Sequence, residues 1–216
     1  MFWHTVRRAA ALLLVGAVLA LATPAVRAEV ATDCFSEDWD RRIGGCTLII
    51  ENPASTPAER SQAYAMRALS LSLKGQFERS IQDYNEAIRI LPDFAVALNN
   101  RAWAYHRWGR GVQGLPDIEK SLRLNPLSEH SWDTRAHIRQ SMGQFAGAFS
   151  DYEQAVNLGG ERMIKLYQCG LAEHGLYKGK VDGVYSSEVR EALRQCAGRK
   201  DCDPLPGDEQ CRAATS

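Results

Sequence analysis

The feature that most constrains this chain is an internal sequence repeat through its middle, with a period of about 34 residues, as in stacked helical repeats. Gly75, Gly109 and Gly143 recur at one constant interval. Four further series share this interval: Arg67-Ala68, Arg101-Ala102 and Arg135-Ala136; Asp83, Asp117 and Asp151; Tyr84, Ile118 and Tyr152; and Pro92, Pro126 and Gly160. Five coincident series are not expected by chance, so they predict a stack of similar units that bury their apolar sides against one another.

Each unit contains two segments with apolar residues at helical spacing. In the first unit they are 61–74 and 77–91, and Gly75 between them suits a tight left-handed turn. Pro92 ends the second segment, because the residue before a proline avoids helical geometry. The spacing therefore predicts three helical hairpins.

These residues resemble the tetratricopeptide repeat (TPR) family over 61–160, with repeats at 61–94, 95–128 and 129–160. The resemblance implies an all-α fold, a short TPR solenoid in which the first helices line a groove for a protein or peptide. By repeat position, the partner groove contains Asn99, Asn100, Trp103, His106, His130, Asp133 and His137. Ala65, Leu69, Val96 and Gln140 lie at equivalent positions.

The recurring Arg and Asp residues keep the same separation in every unit, with one on each helix. A ligand site would rarely recur identically in each repeat, so we expect an ion pair between the two packed helices. The second repeat differs by its glycines at 109, 111 and 114 and by Pro116. Because glycine lowers helix stability by about 1 kcal/mol at each position, we expect the second helix there to start late, near Leu115.

Residues 1–28 have the pattern of a secretory signal peptide. Arg7 and Arg8 precede the apolar run 9–22, and small residues stand at positions 26 and 28. The apolar run is too short to span a bilayer, which takes a helix of about 20 residues. We therefore expect a secreted, periplasmic protein with no membrane span after cleavage.

Residues 29–60 are expected to form a degenerate capping half-repeat. The segment 40–50 looks like a returning helix whose first helix is truncated near Cys34, and a Cys34–Cys46 bridge would pin the two together. Residues 29–59 hold seven acidic and two basic residues, which favours a solvated capping face.

Six cysteines in an exported chain favour three disulfides, because thiols oxidise outside the cytosol. They are Cys34, Cys46, Cys169, Cys196, Cys202 and Cys211. The sequence contains no closely spaced Cys pair of the kind that zinc prefers, so we expect no metal. Spacing alone leaves all 15 pairings open.

The last part, 161–216, is predicted to be a separate helical module, with no fourth repeat after Gly160. It resembles the small peptidoglycan-binding domain of cell-wall hydrolases, through residues Ile164, Gln168, Leu171, Gly175, Gly179, Asp182, Gly183, Ala192 and Leu193. The resemblance implies candidate glycan contacts at Tyr177, Asp182 and Tyr185. It also implies that Cys169 and Cys196 meet across two helices, and that Cys202 pairs with Cys211.

The sequence shows no nucleophile motif, phosphate-binding loop or dinucleotide fingerprint, so we expect neither an enzyme nor a cofactor. The balance of 26 basic and 26 acidic residues argues against nucleic acid as a partner. The sequence predicts a protein-binding scaffold, held near the cell wall if the last module binds peptidoglycan. Two alternatives stay open: an accessory subunit of a cell-wall-modifying enzyme, and a structural adaptor that binds no glycan.

Overall fold

The computed structural model describes residues 32–206, which are helical with short connections and contain no strand. The helices are α1 (Trp39–Glu51), α2 (Pro57–Leu73), α3 (Phe77–Ile90), α4 (Ala95–Arg107), α5 (Gly111–Leu124), α6 (Glu129–Ser141), α7 (Phe145–Glu173) and α8 (Ser187–Ala197). The predicted all-α solenoid of helical hairpins is confirmed. None of these eight helices is long and apolar enough to cross a membrane. The predicted signal peptide, 1–28, lies outside the described residues.

Three hairpins follow the predicted repeats: α2 with α3, α4 with α5, and α6 with the first half of α7. Their turns contain Gly75, Gly109 and Gly143, with φ of 73°, 73° and 78°. These angles lie in the left-handed region, where a side chain would be strained. The first helices contact one another along the stack, α2 with α4 and α4 with α6. They therefore form one continuous face of the solenoid.

Each repeated arginine ties three helices together. Arg101 donates two hydrogen bonds to Asp117 in its own hairpin, each at 2.6 Å. It donates a third to Asn85 of the preceding hairpin at 2.7 Å. The flanking repeats show the same arrangement, in Arg67 with Asp83 and Thr47, and in Arg135 with Asp151 and Glu119. The predicted pairing between packed helices is confirmed, and it also joins neighbouring repeats.

The N-terminal cap consists of α1 and one helical turn at 32–34. Cys46 on α1 is disulfide-bonded to Cys34, as predicted. A Cβ on Gly45 would lie 2.5 Å from the Cys34 nitrogen, so only glycine permits this close approach. Because α1 packs on α2, the cap covers the apolar end of the first hairpin.

The expected late start of the second helix in repeat two is wrong. α5 begins at Gly111 and includes both Gly114 and Pro116. A Cβ on Gly114 would lie 2.9 Å from the Ala102 Cα and carbonyl oxygen. The glycine therefore allows α4 and α5 to approach closely, and packing outweighs its low helix propensity.

The stacking of helices continues past residue 160. Gly160, with φ 56° and ψ −144°, is non-helical and divides α7 into two helical halves that meet at a kink. Beyond the kink, Tyr167 and Leu171 join the same buried cluster as Tyr152, and α8 adds Leu193 to it. The second half of α7 and α8 thus continue the array as a fourth pair of helices.

The expected cysteine pairing in the C-terminal part is also corrected. Cys196 at the end of α8 is bonded to the nearby Cys202, and not to Cys169. The two bonded cysteines are buried, and their bridge closes a short loop directly after α8. Cys169 is in a disulfide as well, whereas Cys211 lies outside the described residues.

Candidate binding face

The residues predicted to line the groove lie on the first helices, on a surface called here the inner face: α2, α4, α6 and the second half of α7. Three rings meet at its centre. Trp103 contacts His106 at a centroid distance of 5.2 Å and His137 at 5.1 Å, and the two histidine rings are 5.6 Å apart. The repeat period thus placed side chains from α4 and α6 in one cluster.

Asn99 and Asn100 lie on α4, one turn before Trp103. Asn99 donates its amide to Asn100 Oδ1 at 3.0 Å. The Asn99 Oδ1 atom is buried and has no hydrogen-bond partner within the described residues. An unpaired buried acceptor is costly, so this oxygen is a candidate contact for a ligand donor. His130 does not join the ring cluster, because it is exposed beside Glu129 at 3.5 Å.

His137 contacts an acceptor oxygen with each ring nitrogen. Nδ1 lies 2.9 Å from the Asp133 backbone oxygen, and Nε2 lies 2.9 Å from Asp203 Oδ1. Both nitrogens donate only when the ring is protonated and positively charged. Burial alone would lower the pKa of His137, but Asp133 and Asp203 outweigh it and raise the pKa to about 9. The imidazolium therefore persists at neutral pH.

The pKa values of two groups next to His137, His106 and Asp133, are shifted in opposite directions. Burial, followed by the charge on His137, lowers the pKa of His106 to about 4, so this ring is neutral at pH 7. Burial raises the pKa of Asp133, against the effects of His137 and of Tyr167, whose hydroxyl donates to Asp133 at 2.5 Å. The centre of the inner face therefore combines one charged and one neutral imidazole.

The protein's own C-terminal segment, 199–206, lies on part of the inner face. The amide nitrogen of Gln140 donates toward the backbone oxygens of Arg199 and Cys202 in this segment, at 2.7 Å for Cys202. It also donates toward the Cys196 oxygen at the end of α8, at 3.0 Å. The backbone nitrogen of Asp203 donates to His174 Nε2 at 3.2 Å. The segment is non-helical, and α6 and α7 hold it largely through its backbone.

Gly170 provides the space for this segment. A Cβ at residue 170 would collide with the Pro204 backbone oxygen, so the chain passes directly over the glycine. Gly170 stands one repeat period after Ala136, and Tyr167 stands one period after Asp133. The repeat period therefore relates both positions to groove positions of the preceding repeat, although neither was among the predicted groove residues. Asp203 has no such relation, since its distance from His137 along the chain is not a multiple of the period.

The candidate glycan contacts surround Gln168, which is buried and organises the loop after α7. Gln168 Oε1 accepts from the backbone nitrogens of Asp182 and Gly183 at 3.0 and 2.9 Å, and its amide donates to Asp182 Oδ1 at 2.9 Å. This last bond lowers the pKa of Asp182. Tyr177 is buried and donates its hydroxyl to the Lys180 oxygen at 2.7 Å. Tyr185 is half-buried on the outer side, near Glu153.

Within residues 32–206, no group of three or more His, Cys, Asp or Glu side chains is arranged to hold a metal ion. The histidines at the centre of the inner face instead contact aromatic rings, backbone oxygens and Asp203. The arrangement can donate hydrogen bonds to backbone oxygens, pair with one carboxylate and stack against an apolar side chain.

The family described as TPR repeat matches residues 70–109. The chain is similar to tetratricopeptide repeat protein 36 of Bos taurus, with 29% identity over 105 residues, which cover 47% of this chain and 56% of that protein. It is 31% identical over 109 residues to the Hsp70-Hsp90 organizing protein of Triticum aestivum, covering 50% and 16% of the two chains. It is 27% identical over 108 residues to serine/threonine-protein phosphatase 5 of Homo sapiens, covering 50% and 22%.

The chain thus spans about half the length of the first of these relatives and less than a quarter of the other two. The similarities and the observed hairpins agree on TPR-like helical repeats. Repeats of this kind are generally protein-interaction modules rather than catalytic units, so they indicate a protein-binding role.

Proposed function

We propose that this protein is an exported, non-catalytic binding protein that holds a segment of a partner protein against its inner face. The observation that carries the proposal is the position of its own segment 199–206, in which the backbone oxygens of Arg199 and Cys202 accept hydrogen bonds from the amide of Gln140. Contacts to backbone oxygens depend little on sequence. A face that binds one irregular chain in this way has the chemistry to bind another.

The partner would occupy the inner face over α2 and α4, beside the protein's own segment. Trp103 is half-buried there and offers a large apolar anchor, and the Asn99 oxygen offers an acceptor. Arg107 lies at the same end of α4, exposed, with its guanidinium 5.9 Å from the Trp103 ring. This combination suits a segment with an apolar side chain and a nearby hydrogen-bond donor.

The test is selection of a displayed random-peptide library against the oxidised, full-length protein. Selected peptides should bind the Trp103→Ala and Asn99→Ala variants at least tenfold more weakly. The first change removes an aromatic anchor, which contributes roughly 2 kcal/mol or more to an interface, and the second removes the acceptor oxygen. Val112→Ala, an exposed apolar residue on α5, serves as the matched control and should bind normally. Equal loss in all three variants, or in none, would contradict the proposed site.

Export is proposed from the signal-like pattern of residues 1–28, and the disulfides of the described chain are consistent with an oxidising compartment. A reporter enzyme that is active only outside the cytoplasm, fused after Ala28, tests it. Activity should require the apolar run, and a Leu13→Arg change in that run should abolish it. Reporter activity that survives this change would contradict export through the segment.

Peptidoglycan binding by the C-terminal loop stays a prediction from the resemblance alone. Asp182 and Tyr177 already serve the loop's own hydrogen bonds, and their role in the loop does not depend on a glycan. Co-sedimentation of the full-length protein with purified sacculi is the test. If the protein does not sediment, the hypothesis of a wall-associated scaffold is wrong, and so is the accessory-subunit alternative as far as it depends on wall contact. The structural-adaptor alternative would remain.

A further inference from the structure

Gln140 and His137 form a site whose orientation does not depend on segment 199–206, which is called here its occupant. Gln140 is buried, and its Oε1 accepts from the Tyr152 hydroxyl at 2.5 Å. This bond fixes the amide plane, so Nε2 points at the segment. His137 is likewise held by the Asp133 backbone oxygen through Nδ1, which leaves Nε2 for Asp203. Both donors are therefore oriented by the helices and not by the segment.

The occupant fills the site with a simple chemical pattern. Two backbone oxygens of the segment, those of Arg199 and Cys202, lie on Gln140. Its Asp203 carboxylate lies on the His137 imidazolium, and Pro204 passes over Gly170. If the segment left, His137 Nε2 would lose its acceptor, and the Gln140 amide would keep only the Cys196 oxygen of α8. Unpaired buried donors are costly, so the vacated site would favour another chain with the same pattern.

A covalent bond holds the occupant in place. Cys202 is bonded to Cys196 on α8, and Asp203 follows directly. The bridge restricts the backbone next to the carboxylate, and it keeps the segment at a high effective concentration at its site. Exchange with a separate chain therefore requires that this bond be opened.

We propose that residues 199–206 are a resident occupant of the inner face over α6 and α7, and that a partner segment with a carboxylate immediately before a proline replaces them once the Cys196–Cys202 disulfide is reduced. This exchange rests on the proposed binding role of the inner face, and it assigns a class of partner to the part of that face over α6 and α7. The reductant is a dithiol: it transfers two electrons and two protons, the Cys196–Cys202 bond becomes two thiols, and the dithiol becomes a disulfide.

The probe is a labelled peptide with the sequence of residues 199–206 and serine in place of Cys202, measured by fluorescence anisotropy. The oxidised full-length protein should not bind it, because the site is filled. A Cys196→Ser/Cys202→Ser protein that also carries Asp203→Asn should bind it, since its own segment has lost the bridge and the carboxylate. A peptide with asparagine at the position of Asp203 should bind about tenfold more weakly, because a charge-assisted hydrogen bond is lost.

Two site variants in the same background decide whether the binding is at this site. Gln140→Ala and His137→Gln should each reduce peptide binding about tenfold or more. Gln113→Ala, at an exposed position on α5, is the matched control. Circular dichroism melting establishes that each variant folds. No binding to the folded variant without the bridge, equal binding to the oxidised protein, or binding unaffected by Gln140→Ala overturns the proposal.

The two proposals fail separately. If library peptides bind the α2 and α4 face in a Trp103-dependent way while the 199–206 peptide never binds, segment 199–206 is a fixed structural part and only the exchange is wrong. If neither kind of peptide binds any folded form, the binding role of the whole inner face is wrong.

Discussion

His137 connects the buried interior of the solenoid to its C-terminal segment, and its two ring contacts make it depend on pH. A group whose pKa is raised on folding stabilises the fold fully below its unfolded pKa and loses that effect as pH rises through its folded pKa. For His137 these values are 6.5 and about 9. We therefore expect the free energy of unfolding to fall by on the order of 3 kcal/mol between them.

Urea unfolding at a series of pH values measures this slope. His137→Gln should abolish it, whereas His130→Gln, which removes an exposed imidazole from the same helix, should retain it. The neighbouring groups do not mimic the effect. Burial raises the pKa of both Tyr152 and Tyr167 well above 10, and the pKa of His106 lies near 4. Equal slopes in both variants would contradict the charged state assigned to His137.

The repeated arginines allow a second prediction for single residues. Arg101→Ala should lower the free energy of unfolding by about 2 kcal/mol or more, because it leaves the buried Asp117 carboxylate without its partner. Arg89→Ala removes an exposed pair with Glu86 on α3 and should leave the stability nearly unchanged. Thermal melting compares the two variants. Similar melting temperatures would mean that the Arg101 pair does not stabilise the repeat.

The helices themselves show where local propensity and packing disagree. On propensity alone, Gly114→Ala would stabilise α5 by about 1 kcal/mol. We expect it to destabilise the protein, because the new Cβ would lie 2.9 Å from the backbone of Ala102 on α4. Gly44→Ala is the matched control: it lies within α1 with nothing within 4 Å of a new Cβ, and should stabilise. Chemical denaturation measures the change in the free energy of unfolding for each variant. Stabilisation by both changes would contradict the close contact between α4 and α5.

The helices could be predicted from the sequence wherever a residue type has only one structural role in its local context. Glycines at positive φ gave the three turns, and the Arg and Asp series gave the pairs between helices. Gly114 was misinterpreted because a glycine that permits close packing and one that interrupts a helix look alike in sequence. The same ambiguity hid Gly170, whose contact is with Pro204, far along the chain. The inner-face residues followed from the period, but the segment on them did not, since no period relates it to α6.

On the scale of the whole molecule, the described disulfides lie at the two ends of the array, and the middle is held by packing and by the Arg–Asp pairs, without a covalent bond. The cluster formed by Ala102, Ile118 and Ile138 is the small buried core between α4, α5 and α6. The cluster around α7 and α8 contains sixteen buried residues. In a repeat protein each unit is stabilised mainly by its neighbours, so local stability can differ along the chain.

We therefore expect native-state hydrogen exchange in the oxidised protein to be faster in α5 than in α3 or the second half of α7. In a Cys34→Ala/Cys46→Ala protein, α1 should lose protection because only its packing on α2 remains, while α5 should keep its own rate since it does not contact the cap. Exchange in the oxidised protein would then begin in the middle of the array, whereas exchange in the variant would begin at its N-terminal end. Equal loss of protection in α1, α5 and α8 would show instead that the array unfolds as one cooperative unit, in which the disulfides at the ends stabilise the middle as well.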